Sequence, residues 1–249
     1  MTVVADVFRV LAIDEDGDVI GRSLLQDANI EVTVQSNDVN AGQGNELIGV
    51  LRSGRQINIA WSDIEFDMAW TAKQFGQDVI TSEGVAYAMP KWYLAKDNEG
   101  VNSIELENTP ATVHEMKVYN KEGKKVNGFT VSGKTVDFTA ATPVIPAGEE
   151  VEVRTYIYNT PAETQSFFID NKVFAKGIKV VLETLEVEPE SDTPIALLQY
   201  EFYKAIPDGN FTFNTAAERS AQAMSSTLRV VKPRHSDVVG VVKRIPIED

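Results

Sequence analysis

The stretch from Glu31 to Gly76 places the tightest limits on how this chain can fold. It reads as a strand, a long polar loop, a strand pair and one short helix. Glu31–Gln35 (EVTVQ) alternates polar and apolar residues, the period of a half-buried strand. Ser36–Glu46 (SNDVNAGQGNE) is too polar and too rich in glycine for a core element, and is predicted to be an extended loop. Leu47–Leu51 is apolar again, Ser53-Gly54 reads as a turn, and Gln56–Trp61 (QINIAW) resumes period two. Ser62-Asp63-Ile64-Glu65 has the spacing of a capping box. The Ser62 hydroxyl would accept from the Glu65 N–H, and the Glu65 carboxylate would return the bond. Trp61 before the cap and Phe66 one turn inside it would form a hydrophobic staple. Gly76 is the natural residue just beyond the helix end. The aromatic side of this helix, with Trp61, Trp70 and Phe75, either covers a β core or lines a ligand pocket.

Short strands fill the remainder. Val3–Ile13 is a strand, Asp14–Asp18 a charged turn, and Val19-Ile20 a return. The acidic run departs from an EF-hand loop, because Gly17 comes too early and the distal Glu is missing. Val151–Tyr158 (VEVRTYIY) alternates most cleanly, with Val151, Val153, Thr155 and Ile157 on one side and Glu152, Arg154, Tyr156 and Tyr158 on the other. Thr164–Ile169, Lys179–Leu185, Pro194–Phe202, Leu228–Val231 and Val238–Val242 read as further strands. Glu183–Asp192 reads as an acidic connection, and 214–227 suits helix and extended chain equally. The predicted fold is mainly β: a sandwich or barrel with one flanking helix and long extended inter-subunit loops. One domain over 1–249 is expected, with a possible insertion around 79–107.

With 249 residues the chain can bury a full core without disulfides, and it has no cysteine. Thiolate metal sites and cysteine nucleophiles are thereby excluded. A formal charge of −14 disfavours a DNA-reading protein and would suit a surface that nucleic acid slides past. No apolar run is long enough to span a bilayer and no leader pattern opens the chain, so a soluble protein made in the cytoplasm is expected. His114, inside a predicted strand, and His235, beside Pro233, lie in no nucleophile or base motif. No catalytic, cofactor or metal constellation is expected. The basic residues Arg229, Lys232, Arg234, Lys243 and Arg244 gather near the end of an otherwise acidic chain, and suit acidic-to-basic joints between copies.

The run Val39–Gly49 leading into RQINIAWSDIEFDMAWTAKQFG resembles the tail tube (major tail) proteins of long-tailed bacteriophages. Gly42, Gly44 and Asn45 would match that family's polar arm; Ser62, Asp63, Phe66 and Gly76 would match the ends of its single helix. The later order, PAGEEVEVRTYIYN, FFIDNKVFAKGIKVVLETLE and a final LRVV, is similar too, while Val79–Glu107 departs from a minimal tube protein. The resemblance implies hexameric rings stacked into a hollow tail tube that conducts DNA during ejection. It also implies a virion location and tail terminator, tail tip and tape measure proteins as partners. Asn40, Gly42, Gln43, Gly44 and Asn45 become the inter-subunit arm, and the C-terminal basic residues a joint. A capsid decoration or head–tail joining protein is one alternative. A carbohydrate- or ligand-binding β domain using Trp61, Trp70, Trp92 and Tyr93 is another.

Overall fold

A computed structural model describes residues 2–22, 25–113, 115–210, 221 and 223–247. Its elements are overwhelmingly antiparallel strands, with one helix among the described residues. The chain divides into two compact units, 1–79 together with 167–249, and 80–166.

The first unit opens with β1 (Val3–Ile13), β2 (Val19–Arg22), β3 (Leu25–Ala41), β4 (Glu46–Asp63) and α1 (Met68–Gln74). The middle unit carries twelve short strands, β5 (Ile80–Thr81) through β16 (Gln165–Ser166). The first unit then resumes with β17 (Ile178–Glu188), β18 (Thr193–Pro207), β19 (Met224–Val230) and β20 (Gly240–Pro246).

In the first unit one eight-stranded sheet runs β2-β1-β17-β18-β19-β4-β3, with β20 also on β18. The sheet forks at β18. Its first half pairs with β20, from Ala196↔Pro246 to Phe202↔Gly240, and its end pairs with β19 through Ala205↔Val230. Period-two alternation sends Val180 and Leu182 of β17 and Val10 and Ala12 of β1 into one core with Ile59, Trp61, Trp70 and Leu228. Glu183, Glu186 and Glu188, expected in an acidic connection, lie within β17. Beside their neighbours they complete a strand, and only 189–192 turn.

Asp6 breaks β1 with a positive φ of 78° and a register shift between Ala5 and Arg9. The Thr184 hydroxyl holds this bulge by donating to the Ala5 and Asp6 carbonyls at 2.8 and 3.1 Å.

The helix begins later than its capping-box spacing predicts. Ser62 belongs to β4, paired with Ser225 of β19 on one side and Asp27 of β3 on the other. With strands on both flanks its backbone cannot turn into a helix. Asp67 is the N-cap instead, accepting from the N–H groups of Ala69 (2.7 Å) and Trp70 (3.2 Å). The Glu65 N–H donates to Asp63 Oδ1 at 2.7 Å, so neither half of the Ser62–Glu65 box forms. The staple fails for the same reason: Trp61 is buried against Trp70, ring centres 5.3 Å apart, while Phe66 is 59% exposed. The C-terminus does follow expectation. Gly76 has φ +71°, its N–H donates to Lys73 O and the Gln77 N–H to Ala72 O, a Schellman closure.

In the middle unit, two four-stranded sheets, β11-β10-β14-β7 and β12-β13-β9-β8, contribute to a second core. Val118 of β10 (Lys117–Asn120), Val151 and Val153 of β14 (Glu150–Thr155), Ile104 of β9 (Val101–Glu105) and Val136 of β13 (Thr135–Asp137) meet there. The alternation from Val151 breaks at Tyr156, which is buried although it follows the outward-facing Glu152 and Arg154. At that point the chain leaves β14 and becomes β15 (Ile157–Thr160), paired with β6 (Gly84–Tyr87), so its facing resets.

Candidate assembly surfaces

The expected loop Ser36–Glu46 is instead the distal end of a long hairpin. Register runs from Leu25↔Asp63 out to Ala41↔Glu46, and only Gly42–Asn45 turn. Polar side chains are no bar to a strand when both faces are solvated, because the ladder needs only backbone groups. Gly42 (φ +84°), Gly44 (φ +97°) and Asn45 (φ +54°) supply the left-handed positions of the tip, closed by the Asn45 N–H on Gly42 O at 3.2 Å. Ser53-Gly54 is not a turn either. Pairing passes from Gln35↔Gly54 to Ser36↔Arg52, leaving Ser53 as the extra residue of a bulge, and Ile48 is a second one.

Paired residues share a face, so Ala28, Ile30, Val32 and Val34 lie on the same side as Trp61, Ile59 and Ile57. At the root this stripe is core: Ile59 and Trp61 are fully buried. Beyond Ile57 it continues without cover. Val32 is 55% exposed and Val34 43%, and Leu47, Val50 and Leu51 near the tip are exposed as well. The outer edges of β3 and β20, and the edge of β1 opposite β17 along its first half, have no ladder partner among the described residues.

The C-terminal basic residues are largely engaged within the chain. Arg229 Nε lies 3.0 Å from Asp208, Lys243 Nζ 2.6 Å from Glu201 and Arg244 Nε 2.6 Å from Glu186, and Lys232 pairs with Asp237. Arg234 and His235 are exposed, and His114 lies outside the described residues. Glu201 also meets Lys179 at 2.5 Å. Hydrogen bonds from Lys179 and Lys243 hold its carboxyl below the usual range. These pairs were invisible in sequence, since they join residues on neighbouring strands.

One ionic knot also escaped the sequence. Lys73 of α1 reaches Asp14, in the β1–β2 turn, and Asp78, each at 2.6 Å. Burial pushes the Lys73 ammonium down, but the two carboxylates outweigh it and hold it well above its ordinary value. The Lys73 bond lowers Asp14, aided by backbone N–H groups of Asp18 and Asp16. Ser226 accepts from Trp70 Nε1 (3.0 Å) and Gln74 Nε2 (3.2 Å), tying α1 to β19.

The segment expected as a strand over Thr164–Ile169 pairs only at Gln165-Ser166. Phe168 and Ile169 follow, each 69% exposed, and Phe174 is 79% exposed. In the middle unit, β7 (Lys91–Leu94) and β9 border a cleft of about 660 Å³. Of the four aromatics considered for a ligand, Trp61 and Trp70 are core, Tyr93 is half-buried beside this cleft and Trp92 is 49% exposed. The cleft wall is tied by a Lys91–Glu107 ion pair. No helix among the described residues is long and apolar enough to cross a membrane.

Comparison with known proteins points one way. A family model described as the YomU/Tube protein family matches residues 2–245. A protein named "Tail tube protein" from Bacillus phage SPR is 22% identical over 196 residues, covering 79% of this chain and 71% of that protein.

Proposed function

We propose, from the premise that this chain belongs to the YomU/Tube protein family, that it is a structural protein of a phage tail tube, built from many copies of itself. The family is one of tube proteins and not of enzymes. In this reading six copies close a ring through their open strand edges, which removes those edges from solvent. Rings stack head to tail, a contact that repeats without closing and so makes a filament. The product is a hollow tail tube that conducts DNA during ejection, bounded by terminator, tip and tape measure proteins.

The observation that carries this reading is the hairpin whose apolar stripe outruns its own core. An isolated two-stranded ribbon is marginal in water. Val32, Val34 and Val50 therefore call for a neighbour, and Asn40–Asn45 at the tip is the arm that reaches it. The 80–166 unit, interposed between two segments of the first unit, is read as an insertion into the tube fold.

The sheet face turned away from the core is the proposed lumen wall. There Arg9 pairs with Glu183, and Glu201 pairs with both Lys179 and Lys243. Cations already matched to carboxylates gain little by meeting phosphates, so DNA would pass without holding.

Negative-stain electron microscopy of the purified chain, alone or with its tail initiator, is expected to show rings or tubes. A compact monomer at every concentration, with no such lattice in virions, would overturn the reading. Deleting Asn40–Asn45 should leave the fold intact and impair stacking.

A further inference from the structure

We propose that the 167–177 segment is the seat that receives the distal hairpin of a second copy of this chain. The proposal rests on the tube reading above and adds which surface takes the arm.

The segment is anchored, so its exposed rings are not merely waiting to fold inward. The Phe167 ring packs 5.4 Å from Phe75 at the end of α1. The Phe174 carbonyl presses on Gly76 so closely that a Cβ there would collide with it. Asp170 Oδ1 accepts the Lys172 N–H at 2.8 Å, fixing the turn between. With the backbone held at both ends, Phe168, Ile169 and Phe174 still face solvent. Clustered exposure of this kind marks an interaction surface.

The hairpin supplies the complement. Leu47, Val50 and Leu51 are exposed near its tip. Between Ser36 and Leu51 the charged side chains are Asp38 and Glu46, with no basic residue. The seat has the opposite balance: Lys172 and Lys176 are exposed, and its one acid, Asp170, is turned onto its own backbone. The acidic, apolar tip of the rod, beyond Arg52 and Arg55, and a basic, apolar seat on one chain fit a head-to-tail contact. Rod against rod would set like charges together. Two different surfaces meeting this way extend as an open filament when the rotation between copies does not close, as stacking requires.

Two experiments test this on the full chain, with circular dichroism and a thermal melt confirming that each variant folds. First, Asp38→Lys with Glu46→Lys, and separately Lys172→Glu with Lys176→Glu, are expected to cut pelletable tubes at least tenfold. Combining all four should restore most assembly. Second, the chain has no native cysteine, so Leu51→Cys with Phe174→Cys should give a ladder of covalent multimers under mild oxidation, while either alone gives dimers at most. Tubes that assemble normally with either charge reversal, or assembled tubes that yield no ladder, would overturn the seat. Wild-type protein that never forms tubes would overturn the tube reading itself, a separate failure detected by the control.

Discussion

The root and the far end of the β3–β4 hairpin share one ladder and one apolar period, yet they meet opposite fates. At the root, Ile59 and Trp61 are buried by α1, β19 and the rest of the core. Farther out, Val32 and Val34 sit on the same face with no cover. Alternation therefore specifies which residues want burial, and topology decides whether burial comes from within. In the assembly proposed above, an apolar stripe longer than its own core is buried by another copy.

The contrast can be broken by measuring where the hairpin contributes to monomer stability. Trp61→Ala should cost most, about 3–5 kcal/mol by chemical denaturation, as it empties the site against Trp70. Gly76→Ala follows at about 2 kcal/mol or more, because a left-handed residue gains a Cβ that meets the Phe174 carbonyl. Asp67→Ala should cost about 1 kcal/mol by loss of the helix cap, whereas Ser62→Ala should show no cap effect. Val32→Asn with Val34→Asn should change monomer stability by about 0.5 kcal/mol or less while lowering assembly. If those valines cost as much as Trp61, the distal stripe is core after all and the contrast collapses.

Acid sharpens the same contrast. Asp14 and Glu201 are depressed by their lysine partners, so their contribution is present above the ordinary carboxylate range. It is lost as pH falls through the lowered folded values. Monomer stability measured from pH 6 down to pH 2 should fall below about pH 4. Asp14→Asn should flatten that fall.

Much of the strand content was legible because period two survives in β1, β17 and β18 regardless of partners. The helix was placed on the right stretch and its glycine stop was correct. Its start was not, because Ser62 and Asp67 are both good caps and only the flanking strands decide between them. The hairpin tip carries no strand signal in the sequence, because Ser36–Glu46 lacks apolar alternation and a ladder solvated on both faces does not require it. Ser53-Gly54 carries turn chemistry that serves a bulge equally well. The sequence marks 79–107 as a possible insertion, but nothing in it sets the rest of Ile80–Ser166 apart, since short strands and glycine turns build either unit. Phe168 and Ile169 fall in the strand pattern over Thr164–Ile169 and Phe174 in the turn-rich run Asn171–Gly177, so neither pattern marks their exposure.

The pairing of β1 with β17 sets a schedule for synthesis. Arg9 and Glu183 stand 174 positions apart. At ribosomal speeds of roughly 5–20 residues per second, the first strand waits about ten to thirty seconds for its neighbour. During that interval 80–166 can collapse on its own local contacts and Val10–Ile13 can pair with β2, while the first half of β1 stays without its ladder partner. In that window the open edge is the stretch of chain most exposed to wrong pairing.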